Sequence, residues 1–426
     1  MNDGKSIFSG MKRTWTDLFS GMSTREKLVW GLFCFTCFQV AFLNPYVLVI
    51  PGQRSNLFSG FLCLLTLLAA WRVMARGTEN WRSPEAVVSV VLTLLVILSS
   101  AFSAVPGSSM ARGFTVVGSA LGGFWCARIL LASQRGRKFF RLYCMALLGG
   151  LLAVSLFGFL VFGQTYKLVD VNPHPLADRM LILWFAPLSF LIGGSGEGRA
   201  VAWVMVLLSC AVFYVSDLRS AMLIPVVLVV LAALFGALRL RYLIVILVVI
   251  AAVLVAFFKQ LPAGKMDKYQ EYTYYRAESY PFAWHVALKR PILGIGLRAP
   301  KDQYLKDYKL SYPYVSREKF SESLKRIMTL ENIFLTFMAE LGFPFLIIYS
   351  GCLIILLFRL LRELHRPPPS RLFHPLVLLL PIVAALLHFQ VLDGLLHPQI
   401  SWFFHLLLGL IPRGPRYEGE APAAER

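Results

Sequence analysis

Residues 333–357, IFLTFMAELGFPFLIIYSGCLIILL, form 25 residues of nearly unbroken apolar sequence. A bilayer-spanning helix needs about 20 such residues, so this stretch predicts a transmembrane helix. Similar windows lie on its N-terminal side near 28–50, 56–75, 84–104, 113–132, 139–163, 180–194, 200–217, 220–238 and 242–258, and on its C-terminal side near 374–392 and 400–412. The expected fold class is an all-α polytopic membrane protein of about twelve transmembrane helices with one large, partly helical periplasmic loop. The sixth and twelfth windows are short.

Composition agrees with that reading. The chain has 426 residues, 57% hydrophobic, 14% aromatic and only 15% charged, whereas soluble domains carry about a quarter charged residues. This excludes a cytosolic enzyme and a disordered protein. It also speaks against a nucleic-acid binder despite a net charge of +19, because in a membrane protein such an excess marks cytoplasmic loops. The seven cysteines fall in apolar stretches and read as small buried hydrophobes; Cys34 and Cys37 form a C-x-x-C with no second pair. The seven histidines show no metal-ligand spacing, so no metal or cofactor is expected.

Lys and Arg placement gives the orientation. With a cytoplasmic N-terminus, cytoplasmic segments hold 22 basic residues and the short outer segments hold five: Arg54, Arg112, Lys167, Arg179 and Arg219. Both termini are therefore expected in the cytoplasm. Residues 1–27 read as a cytoplasmic segment without a cleavable signal; within them MKRTWTDLFSGM, 11–22, suits an interfacial helix with Trp15, Leu18 and Phe19 on one side. Residues 28–258 hold the first nine spans, 259–330 the large outer loop, 331–412 the last three spans and 413–426 a disordered tail. The outer loop carries fourteen basic and seven acidic residues, and a loop of such length usually has a function of its own.

Charges at membrane depth are the best functional pointers. Arg219, in YVSDLRSAMLIPVV, sits between two apolar windows at the outer face. It is either a helix-end arginine snorkelling to the interface or a ligand-facing cation; Asp217 is its partner or a helix cap. The outer loop opens with KYQEYTYYRAESYPFAWHVALKRPILGIGL, where Tyr269, Tyr272, Tyr274, Tyr275, Tyr280, Phe282 and Trp284 crowd around Arg276. The run from Arg276 to Arg290 predicts a helix with Arg276, Tyr280 and Trp284 on one side, ended by Pro291 and followed by a tight turn at Gly294 and Gly296. These aromatics make a lipid belt or a platform for an apolar or sugar ligand. Arginine's planar fork suits phosphate oxygens, so two outer arginines can hold a diphosphate. Glu331 begins the tenth window and reads as an acid available for proton work or as one favoured by the helix dipole, with Thr329 or Asn332 helping to cap. His174 lies in DVNPHPLADR, read as an outer turn with Asp170, Asn172 and Asp178; Asp393 and His397 occupy another, VLDGLLHPQ.

Four segments occur in an order that resembles the O-antigen ligase and polymerase superfamily of bacterial inner-membrane proteins. SSAFSAVPGSSMARG, 99–113, is similar to the family's Ser-rich turn, and SDLRSA, 216–221, to its arginine between two helices. YRAESYPFAWHVALKRPILGIGL, 275–297, resembles its Arg…Trp…Pro-x-x-Gly-x-Gly segment; ENIFLTFMAELGFPF, 331–345, resembles its His-Asn helix start ending in Glu-x-Gly. The resemblance implies a periplasm-facing, metal-independent, inverting glycosyltransferase of the bacterial inner membrane. Its donor would be an undecaprenyl-diphosphate-linked glycan and its acceptor lipid A–core or another glycan, with membrane lipids as surroundings. Carried over, Arg219 and Arg276 bind the diphosphate leaving group, and Tyr275, Tyr280, Trp284 and Asn332 line the substrate site. The family's histidine falls on Glu331. A carboxylate there acts as base or orients the acceptor, or the chain is an inactive relative. A polymerase of the same superfamily and a transporter or flippase of lipid-linked glycans are the alternatives.

Overall fold

The computed structural model describes residues 16–42, 53–74, 83–168, 173–193, 196–216, 218–235, 263–327, 330, 332–364, 374–390 and 392–412. The described residues are helical, with no strand among them. In chain order the helices are α1 (Thr24–Phe42), α2 (Gln53–Met74), α3 (Pro84–Ala101), α4 (Pro106–Leu130), α5 (Gln134–Phe162), α6 (Pro173–Leu183) and α7 (Phe185–Gly193). They continue with α8 (Gly196–Val215), α9 (Arg219–Leu234), α10 (Ala263–Lys289), α11 (Arg317–Ile327), α12 (Ile333–Leu364), α13 (Pro375–His388) and α14 (Pro398–Gly409).

Local chemistry sets several of these boundaries. Ser23 and Glu26 cap α1 reciprocally: Ser23 N–H donates to the Glu26 carboxylate at 2.7 Å, and Glu26 N–H to Ser23 Oγ at 3.3 Å. Ser83 accepts from Ala86 N–H ahead of Pro84, and Ser133 accepts from Gly136 N–H. Gly163 ends α5 in the left-handed region, φ 67°.

Seven helical segments among the described residues are long and apolar enough to cross a membrane: Asn56–Met74, Pro84–Ala101, Pro106–Leu130, Gln134–Phe162, Pro173–Ile192, Gly198–Val215 and Ile333–Leu364. Their outward faces carry large apolar side chains, including Leu160, Ile347 and Phe358. The chain is a membrane protein. Twelve spans are not confirmed among the described residues: α9, α13 and α14 have 16, 14 and 12 residues, short of a bilayer core at about 1.5 Å per residue, and α1 covers only part of the first window, with Arg25, Glu26 and Lys27 in its first turn. The window at 242–258 and the tail from 413 lie outside the described residues.

Two expectations are corrected by burial. The sixth window begins at Pro173, not near 180, since Pro suits the first helical position. His174, Asp178 and Arg179 therefore ride on a helix rather than in an outer loop, and Asp178 and Arg179 are fully buried. Leu18 is buried in the protein core and Phe19 packs edge-on against Phe139, 6.3 Å between ring centres. That segment thus packs on protein instead of lying on lipid alone; Trp15 is outside the described residues.

The bundle is organised around α4, which packs most extensively on α2 and α14. Its contacts are made by backbone against backbone. A Cβ on Gly118 would sit 2.7 Å from the carbonyl oxygen of Gly60, one on Gly123 2.4 Å from that of Trp402, and one on Gly409 2.4 Å from that of Phe124. Lipid tails are as apolar as leucine, so helices in a bilayer gain from such close approach more than from hydrophobic burial.

Candidate functional site

Helix α10 carries Arg276, Tyr280 and Trp284 four residues apart, which places them on one face as the sequence predicts. Trp284 is half-exposed and meets Phe343 edge-on, 5.3 Å between ring centres. Tyr275 turns to the other side and stacks on Phe320, within a second small core formed by α10, α11 and the segment between them. Glu278 organises that segment from inside: its buried carboxylate accepts from Tyr308 O–H, from Ser311 N–H at 2.9 Å and from Tyr312 N–H at 2.9 Å.

Three of the four motif segments lock together through main-chain groups. After α10 the turn at Gly294 (φ 64°) and Gly296 (φ 93°) runs beside α12, which is kinked at Gly342 (φ 84°). Ile295 and Gly296 N–H donate to the carbonyls of Ala339 and Glu340 at 3.0 and 2.9 Å, and Phe343 N–H donates to Pro291 O at 2.9 Å. Cβ atoms at Gly294, Gly296 and Gly342 would each fall within 2.4 Å of neighbouring atoms, so the G-I-G run serves backbone contact. The Ser-rich turn joins them: Ser99 Oγ donates to Glu340 O at 2.8 Å and Ser109 Oγ to Leu297 O at 2.7 Å.

A ring of contacts follows at this end of the bundle. Asn332 starts α12, its Oδ1 accepting from Phe334 and Leu335 N–H at 3.0 and 3.2 Å. Its Nδ2 donates to Tyr280 Oη at 3.4 Å and to Gln390 Oε1 at 3.1 Å. Ile333 N–H donates to Phe389 O, 3.1 Å, next to His388 at the end of α13. His388 Nδ1 lies 2.7 Å from Asp178 Oδ1, both side chains fully buried. The His174 ring lies beside that of His388, 5.7 Å between centres, and Arg276 is within electrostatic range of His174. Arg276 itself lies on α10, one turn from Tyr280.

The turn after α13 adds more charge. Asp393 is buried, and its carboxyl is pushed up by burial while Arg112, Arg298 and Lys301 pull it back down. His397 is driven down to about 3 by desolvation and by the charges of Arg112, Arg298 and Arg179. Arg179 has a structural role as well, its guanidinium donating to the carbonyls of Pro175 at 3.1 Å and Ala41 at 2.6 Å.

Arg219 opens α9. The hydroxyls of Thr165 and Ser216 meet, tying the end of α8 to the turn after α5. The start of α9 is therefore at the same end of the bundle as His174 and His388. Glu331, Asp217, Thr329, Asp170 and Asn172 lie outside the described residues. Sequence reasoning missed Arg112, Asp178 and His388 as members of one cluster. The available signal was charge within or against apolar windows, followed for Arg219 alone.

The architecture is that of an all-helical membrane protein in which the loop after α10, the Ser-rich turn and the kinked helix α12 meet at one end. Residues 204–350 match the family described as O-antigen ligase. This stretch, about a third of the chain, is similar to the O-antigen ligase superfamily, which the match supports. Segments 216–221, 275–297 and 331–345 fall inside the match, and the Ser-rich turn at 99–113 falls outside it. No curated protein matches the chain.

Proposed function

We propose that the protein is a periplasm-facing, inverting glycosyltransferase of the bacterial inner membrane with both termini in the cytoplasm. It transfers an undecaprenyl-diphosphate-linked glycan to a lipid or glycan acceptor without a metal. The observation that carries this reading is the chain of contacts that joins Tyr280 and Asn332, inside the family-matched region, through Gln390 and Phe389 to the His388–His174 pair outside it, with Arg276 one turn from Tyr280. The start of α9, with Arg219, is at the same end.

In this reading Arg219 and Arg276 hold the diphosphate and stabilise the negative charge that builds on it as the glycosidic bond breaks. Tyr280 and Trp284, each about half-exposed, supply faces for sugar rings; Tyr275 and Asn332 fix the walls. Glu331, in the family histidine's place, is the base or orients the acceptor hydroxyl.

The test is a transfer assay on purified protein with lipid-linked donor. Arg219→Ala and Arg276→Ala are each expected to lower turnover by at least about a hundredfold, a typical loss when a group stabilising developing charge is removed. Lysine should be a poor substitute at either position, because a point charge lacks the bidentate fork. Native turnover in both alanine variants would overturn the assignment.

A further inference from the structure

The family resemblance places a histidine where this chain has Glu331, yet imidazoles are present a short distance away. Three observations converge on them. Asp178 and His388 are both fully buried and 2.7 Å apart. A carboxylate only accepts, so the Nδ1–H of His388 donates to Asp178, which fixes the tautomer and leaves Nε2 as the acceptor nitrogen of that ring. The partly exposed His174 has its ring beside that of His388, 5.7 Å between ring centres, and the charge of Arg276 acts on it. A buried carboxylate, a buried imidazole and a partly exposed imidazole thus lie in sequence, at the end of the bundle where Asn332 meets Tyr280, one turn from Arg276.

We infer that His174 is the proton acceptor of the transfer reaction, and that Asp178 and His388 are positioning residues that hold His174 and offset the positive charge it gains. The inference rests on the glycosyltransferase reading and deepens it. In the step, the acceptor hydroxyl oxygen bonds to the anomeric carbon as the bond from that carbon to the diphosphate oxygen breaks. The electron pair of the broken bond leaves on the diphosphate, beside Arg219 and Arg276. The hydroxyl proton passes to a ring nitrogen of His174, and the imidazolium later releases it to water.

The arrangement explains why one imidazole alone would serve poorly. Beside Arg276, a histidine that becomes charged is repelled. The buried carboxylate behind His388 supplies the opposite charge, much as the acid behind the histidine of a Ser-His-Asp triad stabilises the imidazolium, though here one ring further away. The titratable and charged groups facing the relay are Arg276 and His388 against His174, Asp178 against His388, and Arg179 and Asp393 against Asp178.

The experiment uses the full-length protein in detergent or nanodiscs, with undecaprenyl diphosphate as the binding probe and a lipid-linked glycan for turnover. His174→Asn should bind the probe as the native protein does and lose about two to four orders of magnitude in turnover, the usual range for a general base. Asp178→Asn should retain binding, lower turnover less, and move the acidic limb of the pH–rate profile to lower pH, since removing the carboxylate weakens the base. A merely structural Asp178 would lower the amount of folded protein and leave that limb in place. Melting temperatures verify folding, and His174→Gln decides the matter if His174→Asn does not fold. Native turnover in the His174 variants, with Arg276→Ala inactive, would overturn the proton assignment and leave the glycosyltransferase reading standing. A native protein that neither binds the probe nor transfers would overturn both.

Discussion

Lys301 and Glu340 form an ion pair sealed from solvent, with 1% and 0% of their side chains exposed. The lysine comes from the loop after α10, and the glutamate from the turn of α12 just before its kink. The second carboxylate oxygen accepts from Arg298 N–H at 3.0 Å, so Glu340 fastens the loop at two points.

Removing one partner of such a pair strands the other charge. Glu340→Gln or Lys301→Met is expected to destabilise the protein by about 3–5 kcal/mol, read as a lower melting temperature in detergent. The double variant should lose less than the sum of the two. Additive losses would show that the pair has no coupling.

Gly296 tests the interlock without touching a charge. Alanine there places Cβ 2.3 Å from Ser103 Cβ, at φ 93°. Gly296→Ala should therefore destabilise by at least about 1–3 kcal/mol, the usual cost of such a backbone position, and Ser103→Gly in the same chain should restore part of the loss. An alanine variant melting like the native protein would show that the turn can move away from the Ser-rich turn at Ser103.

His397 gives a pH dependence with a definite sign. Its value in the fold, about 3, lies below the ordinary 6.5. Between these values the unfolded chain holds one more proton than the folded one, so stability falls as pH drops. The contribution is complete above about pH 6.5 and is lost as the pH falls toward 3. Denaturant titrations over that range should show a shallower slope in His397→Gln. An unchanged slope would mean that other groups carry the acid sensitivity.

Orientation has its own test. A cysteine replacing Asp302 should react with an impermeant reagent applied from the periplasmic side, whereas one replacing Arg137 should not, each compared with the parent chain. The reverse pattern would move the candidate site to the cytoplasmic face.

Much of the helical architecture was legible in the sequence because apolar length reports directly on membrane spanning. The helix carrying Arg276, Tyr280 and Trp284, and the turn after Pro291, were legible because spacing and glycine report on local backbone. The Asp178–His388 pair was not, since 210 positions separate the two residues and neither window shows a pattern that requires the other. Arg112 and Arg179 looked like outer-segment charges from their flanks; burial by neighbouring helices changes their meaning. Removing these two from the five leaves three basic residues in the short outer segments, which sharpens the Lys and Arg asymmetry.

The glycine-lined contact of α4 with α2 and α14 bears on how the protein is made. A ribosome delivers α4 to the membrane long before α14 exists. During that interval α2 can already cover one bare stripe of α4, but the stripe around Gly123 meets only lipid or the insertion machinery until Trp402 emerges. Arg112 likewise meets Asp393 only after the C-terminal turn has been synthesised. Until α14 is made, that face of the central helix stays unclosed. A chain released ahead of α14 has a central helix without its closing partner.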